Sequence, residues 1–263
     1  MGTLLLNRLT VTEFRALITR AEGEELRLLI AEHGSDTRTG VRNLLASVLS
    51  RQARDVVEAR RLRDLAALQR SLHEQRWAVV AGIDEVGRGA LAGPVTAAAV
   101  VLGVDVAIDG LNDSKRLTPE RRRSLDASIR ARATRVNVAH VWPDVIDALG
   151  IQEATRTAML MALEQMRRAV DHVIVDGLPV ELGLPSTAVV KGDSRVASVA
   201  AASIVAKVAR DALMVELDRE YPGYGLAHNK GYGSPDHLAC LARNGPTRVH
   251  RRSFAPCSQT QLF

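Results

Sequence analysis

Lysine is scarce in this sequence of 263 residues. Of 35 basic side chains only Lys115, Lys191, Lys207 and Lys230 are lysine, and none of them falls in the first hundred residues. An ammonium is a compact point charge, whereas a guanidinium is a planar fork. The four lysine motifs, "NDSKRLT", "VVKGDS", "SIVAKVARD" and "HNKGYGSP", therefore mark places that call for the compact cation. Aromatic residues are also few, at 3%, which leaves little for stacking on bases or sugars. The two cysteines, Cys240 and Cys257, show no metal-ligand spacing and no disulfide framework, which argues against a cysteine zinc site and a secreted scaffold. No apolar run approaches the length of a membrane span. The start, "MGTLLLNRLTVTEF", lacks the basic region, apolar core and cleavage site of a signal peptide. A cytoplasmic protein with reduced thiols and no membrane partner is expected. The net charge of +5 hints at a polyanionic partner.

What is present divides the chain near residue 75. Residues 1–75 read as a helical extension. Thr10 and Glu13 form a capping box before "FRALITRA", and Gly23 and Gly34 punctuate two short helices. Apolar residues from Val41 to Leu72 then recur at helical spacing, which predicts one amphipathic helix or a broken pair. From Trp77 the pattern changes. "WAVVAGID", "PVTAAAVVL", "RVNVAHVW", "DHVIVDG" and "STAVVKGD" read as strands. "IQEATRTAMLMALEQMRRAV" and "RVASVAAASIVAKVARDALMVELDRE" read as helices, the second with a small-residue face for close packing on a sheet. Ser234 and Pro235 open a last helix that closes at Gly245. Strands alternating with helices imply a layered α/β domain over 76–256, followed by a tail, 257–263.

Three of the predicted strands end in acid: Asp84 with Glu85, Asp176, and Asp193. In layered α/β sheets, ligands gather at strand ends. Converging carboxylates repel one another and are driven to protonate unless a hard divalent cation such as Mg²⁺ or Mn²⁺ joins them. In a regular strand Asp84 and Glu85 face opposite sides. Gly87 and Gly89 predict a break that lets both reach one side. Each acid also has a local use: Glu85 as a partner of Arg88, Asp176 as a turn residue, Asp193 as a helix cap. Asp211 competes as a fourth ligand, although one turn past Lys207 it suits a salt bridge. A carboxylate-held metal pair suits phosphodiester hydrolysis. Lys115, Lys191, Lys230, Arg248, Arg251 and Arg252 are candidate cations for the phosphates.

"GIDEVGRGALAGPVTAAAV", "LNDSKRLT", "VDG", "VVKGDSRVASVAAASIVAKVARD", "YPGYGLAHNKGYGSPDH" and "GPTRVHRRSFAP" together resemble bacterial ribonuclease HII, in that family's order from residue 79 to 256. The resemblance implies an RNase H-like fold, a mixed central β-sheet flanked by helices, here with a helical N-terminal extension. It implies an endoribonuclease that hydrolyses the RNA strand of RNA–DNA hybrids and nicks duplex DNA 5′ of an embedded ribonucleotide. The products carry 3′-hydroxyl and 5′-phosphate ends, and the cofactor is Mg²⁺ or Mn²⁺. The family's acidic set falls on Asp84, Glu85, Asp176 and Asp193, which favours Asp193 over Asp211. Its 2′-hydroxyl-reading turn falls on Gly87, Arg88 and Gly89, where glycine lets backbone come close to a ribose. Its junction-sensing tyrosine falls on Tyr232. Where many relatives carry His before the lysine of that loop, this chain has Asn229, with His228 one place earlier. The ending "SQTQLF", through Gln259, Leu262 and Phe263, resembles the peptide by which bacterial replication and repair proteins dock on the sliding clamp. Two rivals remain: the sister family ribonuclease HIII, whose N-terminal platform contains a sheet, and a non-catalytic nucleic-acid-binding adaptor on a decayed nuclease fold.

Overall fold

The computed structural model describes residues 9–164, 166 and 169–259. The chain divides into two compact units, 1–60 and 61–263. In the first, α1 (Val11–Arg20) opens on the expected capping box: the Glu13 amide donates to Thr10 Oγ1 at 3.2 Å, and the Thr10 amide donates to Glu13 Oε2 at 2.8 Å. With α2 (Gly23–His33) and the start of α3 (Thr39–Leu65), it buries a small core of Phe14, Ile18, Val41 and Leu45.

The long amphipathic pattern is a broken pair: α3 ends at Leu65 and α4 (Ala67–Glu74) follows. Their ends belong with the second unit. Leu65 packs with Ala98 and Val100, and Leu72 with Val80, Ile174 and Val199. Gln69 Nε2 donates to the Leu102 carbonyl at 2.6 Å within the buried interior. The unit boundary therefore lies before these residues, ahead of the division read near residue 75.

The second unit is built on a five-stranded sheet, in the order β3-β2-β1-β4-β5, of β1 (Val80–Val86), β2 (Val95–Val101), β3 (Arg135–Val141), β4 (His172–Asp176) and β5 (Ser186–Val189). β1 pairs antiparallel with β2 and parallel with β4, so the sheet is mixed, as expected. Helices cover both faces. α5 (Pro119–Arg132) and α6 (Pro143–Leu149) precede α7 (Ile151–Glu164), which packs on Ala81, Ile83, Ala97, Val173 and Val175. α8 (Ala197–Glu220) covers the other face, where its alanines meet Ala98 and Val100. A Cβ on Gly82 would sit 2.2 Å from the Ser198 carbonyl carbon. The small-residue face of α8 and the missing side chain at Gly82 are thus one requirement, close helix-to-strand approach, met from both sides. The chain continues through α9 (Leu226–Asn229) and α10 (Pro235–Asn244), capped by Ser234 and closed at Gly245 as the sequence predicts, to α11 (Ala255–Gln259).

Two local expectations change. β1 does not break at the paired acids but runs regularly through Val86, in register with β2: Asp84 opposite Ala98, Glu85 opposite Ala97 and Val86 opposite Thr96. The ladder outweighs the glycines, and the turn begins only at Gly87, where φ is +88°. β5 ends at Val189, so Asp193 sits in a 3₁₀ turn, Gly192–Ser194, ahead of α8 rather than at a strand end.

Candidate active site

Strand alternation sends Asp84 and Glu85 to opposite faces of β1. Asp84 is buried on the α8 side and accepts a hydrogen bond from Ser203. Ser203 is in turn 2.9 Å from Ser114 Oγ. Glu85 turns to the α7 side, into a cleft shared with Arg88, Gln152, Thr155 and Asp176. The parallel pairing of Ile83 with Val175 puts Asp176 one step further along β4, beside Asp84. The turn after β5 adds Asp193, with the Gly192 amide donating to Asp176 Oδ1 at 2.6 Å.

Each carboxylate has a partner within the chain. Asp84 Oδ1 accepts from the Glu85 amide at 2.7 Å, Glu85 Oε1 from Arg88 at 3.2 Å and Asp193 Oδ2 from Lys115 Nζ at 3.4 Å. Among the described residues no three acid, His or Cys side chains are drawn closely enough together to enclose an ion. The acids are nevertheless electrostatically joined. Burial first, then the charges of Glu85 and Asp176, push the Asp84 carboxyl well above its ordinary range. Burial raises Glu85 too, with Asp176 adding to the rise and Arg88 opposing it. Burial raises Asp193, helped by Asp113 and Asp176 and opposed by Lys115. An all-oxygen donor set under this strain fits a hard divalent cation, which would hold these groups ionised.

The other candidate residues divide. Lys115 reaches the acids, and its ammonium is held above its usual range because Asp193 and Asp113 outweigh the effect of burial. Gly87, Arg88 and Gly89 form the turn at the end of β1. A Cβ on Gly87 would strike Arg210 Nε at 2.2 Å, whereas Gly89 has open space around it. Tyr232 is part-exposed, with its ring 5.6 Å from the Arg210 guanidinium carbon. Lys191 is exposed, in left-handed backbone beside the Asp193 turn. Lys230 points elsewhere: its ammonium donates to the Ala227 carbonyl and lines a separate cleft with Arg122, Arg123 and the Lys207–Asp211 pair. That pair, 2.7 Å apart, gives Asp211 the salt-bridge role.

Arg251, offered above as a phosphate cation, is fully buried and cannot reach a phosphate, and Arg248 pairs with Glu220. Asn229 organises the tyrosine loop, with its side chain donating to the Tyr224 carbonyl and accepting from the Gly231 amide, both at 2.7 Å. Sequence reasoning missed Ser203, one of two serines, with Ser198, among the buried small residues of α8. It also missed the buried pair His237 and His250 behind Tyr232.

A ribonuclease HII family model matches residues 81–257. Ribonuclease HII of Geobacillus thermodenitrificans is 45% identical over 248 residues, covering 94% of this chain and 95% of that one. Ribonuclease HII of Lactobacillus gasseri is 42% identical, covering 95% and 99%. Among solved structures, ribonuclease H2 from Pyrococcus horikoshii matches with a TM-score of 0.61 at 27% identity, covering 70% of this chain and 97% of that one. A PCNA:RNase HII complex from Archaeoglobus fulgidus matches at 0.55 and 28%, covering 66% and 92%. The mixed sheet with its buried acid end, the family model and the full-length relatives agree: the chain belongs to the ribonuclease HII family and is an RNase H-type nuclease.

Proposed function

We propose that this enzyme, beyond cutting the RNA strand of RNA–DNA hybrids, nicks duplex DNA on the 5′ side of an embedded ribonucleotide, leaving 3′-hydroxyl and 5′-phosphate ends. Asp84, Glu85, Asp176 and Asp193 would hold Mg²⁺ or Mn²⁺ for this. The observation that carries the reading is that acids from three distant segments, β1, the end of β4 and the turn after β5, lie near enough for the charge of Asp176 to raise the carboxyls of both Asp84 and Asp193. A bound pair of such ions supplies water activation and neutralises charge on the departing oxygen.

The residues of the chain do the rest. Asp84 and Asp193 present oxygens from the α8 side of the sheet and Glu85 from the other, with Asp176 at the end of β4 between them. The open backbone at Gly89 comes close to the ribose, and the Gly87–Gly89 turn reads its 2′-hydroxyl. Tyr232 stacks on the next sugar and so selects an RNA–DNA junction. Lys115 and Lys191 neutralise flanking phosphates, with Lys230 acting further out along the same strand. Catalysis belongs to residues 76–256, with α4 and the end of α3 packed on that domain, and takes place in the cytoplasm.

An assay on a duplex with one ribonucleotide, with each divalent ion supplied in turn, tests this. The expected cut lies immediately 5′ of the ribonucleotide, requires the ion and spares an all-DNA duplex. Equal cutting of all-DNA, or cutting under chelation, would refute it.

A second reading concerns the tail. The PCNA complex of the Archaeoglobus relative supports docking of Gln259, Leu262 and Phe263 on the bacterial sliding clamp. Leu262 and Phe263 lie outside the described residues. A deletion of Gln261, Leu262 and Phe263 should lose to the full chain in competition for purified clamp; equal binding ends the idea.

A further inference from the structure

Behind the reading turn lie two arginines, Arg210 of α8 and Arg251, both with no solvent exposure. Their hydrogen bonds go to backbone carbonyls rather than carboxylates. Arg210 donates to Pro94 at 2.9 Å, Lys230 at 2.8 Å and Ala92 at 3.1 Å. Arg251 donates to Arg88 and Gly87 at 2.7 Å each, and twice to Gly93 at 2.9 and 3.1 Å. Burying an unneutralised charge is expensive, so the position of these two needs a reason.

Their acceptors supply one. The carbonyls come from the two segments that would read the sugar: the turn and its continuation, 87–94, and Lys230, two residues before Tyr232. Backbone bonds already bring these segments into contact. The Leu91 and Ala92 amides both donate to the Gly231 carbonyl, at 2.7 and 3.2 Å. Arg210 adds a rigid three-pronged link across the same seam. Its guanidinium also lies over the Tyr232 ring and fills the space against Gly87 that a Cβ would occupy. A fork with fixed angles sets spacing in a way that a flexible ammonium cannot.

We propose that Arg210 is a positioning residue for substrate selection: it fixes the distance between the 2′-hydroxyl-reading turn and Tyr232, while Arg251 holds the turn itself. The inference rests on the roles proposed above for Gly87–Gly89 and Tyr232. Arg210 acts only through those groups and touches no substrate.

A double-mutant cycle tests it. Arg210→Lys, Tyr232→Ala and the double variant are compared by the ratio of kcat/KM on a single-ribonucleotide duplex to kcat/KM on a long RNA–DNA hybrid. Arg210→Lys keeps the buried charge and loses the fork. Each single variant should lower the ratio, Arg210→Lys by about tenfold, since loosely held reading groups forfeit positioning. The double variant should show little more than Tyr232→Ala alone. Losses that multiply across the cycle, or an Arg210→Lys ratio equal to wild type, would overturn the inference. The Tyr232→Ala arm separates the two failures: an unchanged ratio there removes the tyrosine's role and the inference with it. A changed ratio with an inert Arg210→Lys removes the inference alone. Because the readout is a ratio on two substrates of the same preparation, a partly unfolded fraction cancels.

Discussion

The sheet end carries buried charge of one sign, and the platform beside it carries the other. At the acid end, Asp84, Glu85 and Asp193 are all pushed toward protonation by burial, with neighbouring acids adding to it. A few steps away, Arg210 and Arg251 are buried more deeply still, yet their donors are matched to the carbonyls of Gly87, Arg88, Ala92, Gly93, Pro94 and Lys230. The difference is one of completeness. The positive pair is satisfied within the fold and serves as scaffold, whereas the negative set calls for something outside it.

The largest effect should come from the acid side. Asp84→Asn or Asp176→Asn should lower cleavage by at least about three orders of magnitude, the loss expected when a ligand at the reacting centre goes, with duplex binding largely kept. In metal-free protein Asp84→Asn should also raise the melting temperature, by about 2–4 °C for each kcal/mol of repulsion relieved. A single measurement on the scaffold side should show the opposite. Arg251→Ala leaves the carbonyls of Gly87, Arg88 and Gly93 short of donors and should cost on the order of 3 kcal/mol or more; chemical denaturation reads this directly. If both substitutions stabilise, or both destabilise, the distinction fails.

The histidines behind Tyr232 sharpen the same contrast through pH. The Tyr232 carbonyl can only accept, so His237 Nδ1 donates to it at 2.9 Å. His237 Nε2 then accepts from His250 Nε2 at 3.0 Å, and His250 Nδ1 accepts from the Thr247 amide at 3.0 Å. The two accepting nitrogens, His237 Nε2 and His250 Nδ1, require both rings to be neutral. Burial, and then His237, push His250 down from 6.5 to about 4. The unfolded chain therefore takes up the proton first as pH falls. The stability from this site is complete above pH 6.5 and lost progressively toward pH 4, on the order of 3 kcal/mol in all. Melting curves across that window should show the loss, and an NMR titration of His250 with a midpoint near 6.5 would contradict it. The smallest effect belongs to Arg88, half-exposed at the solvent end of its pair with the mostly buried Glu85: Arg88→Ala should cost about 1 kcal/mol, well below the loss from Arg251→Ala.

Much of the fold was legible because strands, helices and caps leave local marks: the apolar runs of β1, β2 and β4, the small face of α8, and Ser234 before Pro235. The acids were legible because charge at the end of an apolar run is rarely idle. What stayed hidden depends on partners distant in sequence. α5, rich in arginine, gives a weak apolar signal: Thr118 caps it before Pro119, but only Leu125 and Ile129 of its face are buried, in the core shared with α8. The continuity of β1 through Glu85 is decided by the β2 ladder, which the glycines after it could not report. Arg251 looked like a phosphate cation because a basic residue beside other basic residues usually meets solvent. Its carbonyl acceptors lie more than 150 residues away in sequence. Asn229 likewise declared its role only through the carbonyl and amide it bridges.

The central claim is that acids from β1, β4 and the turn before α8 act together on a divalent cation. Calorimetric titration of the purified enzyme with Mn²⁺, beside Asp84→Asn and Asp176→Asn, measures this most directly. The account predicts saturable binding by the wild type and its loss or severe weakening in either variant. Undiminished Mn²⁺ binding by both variants would contradict it.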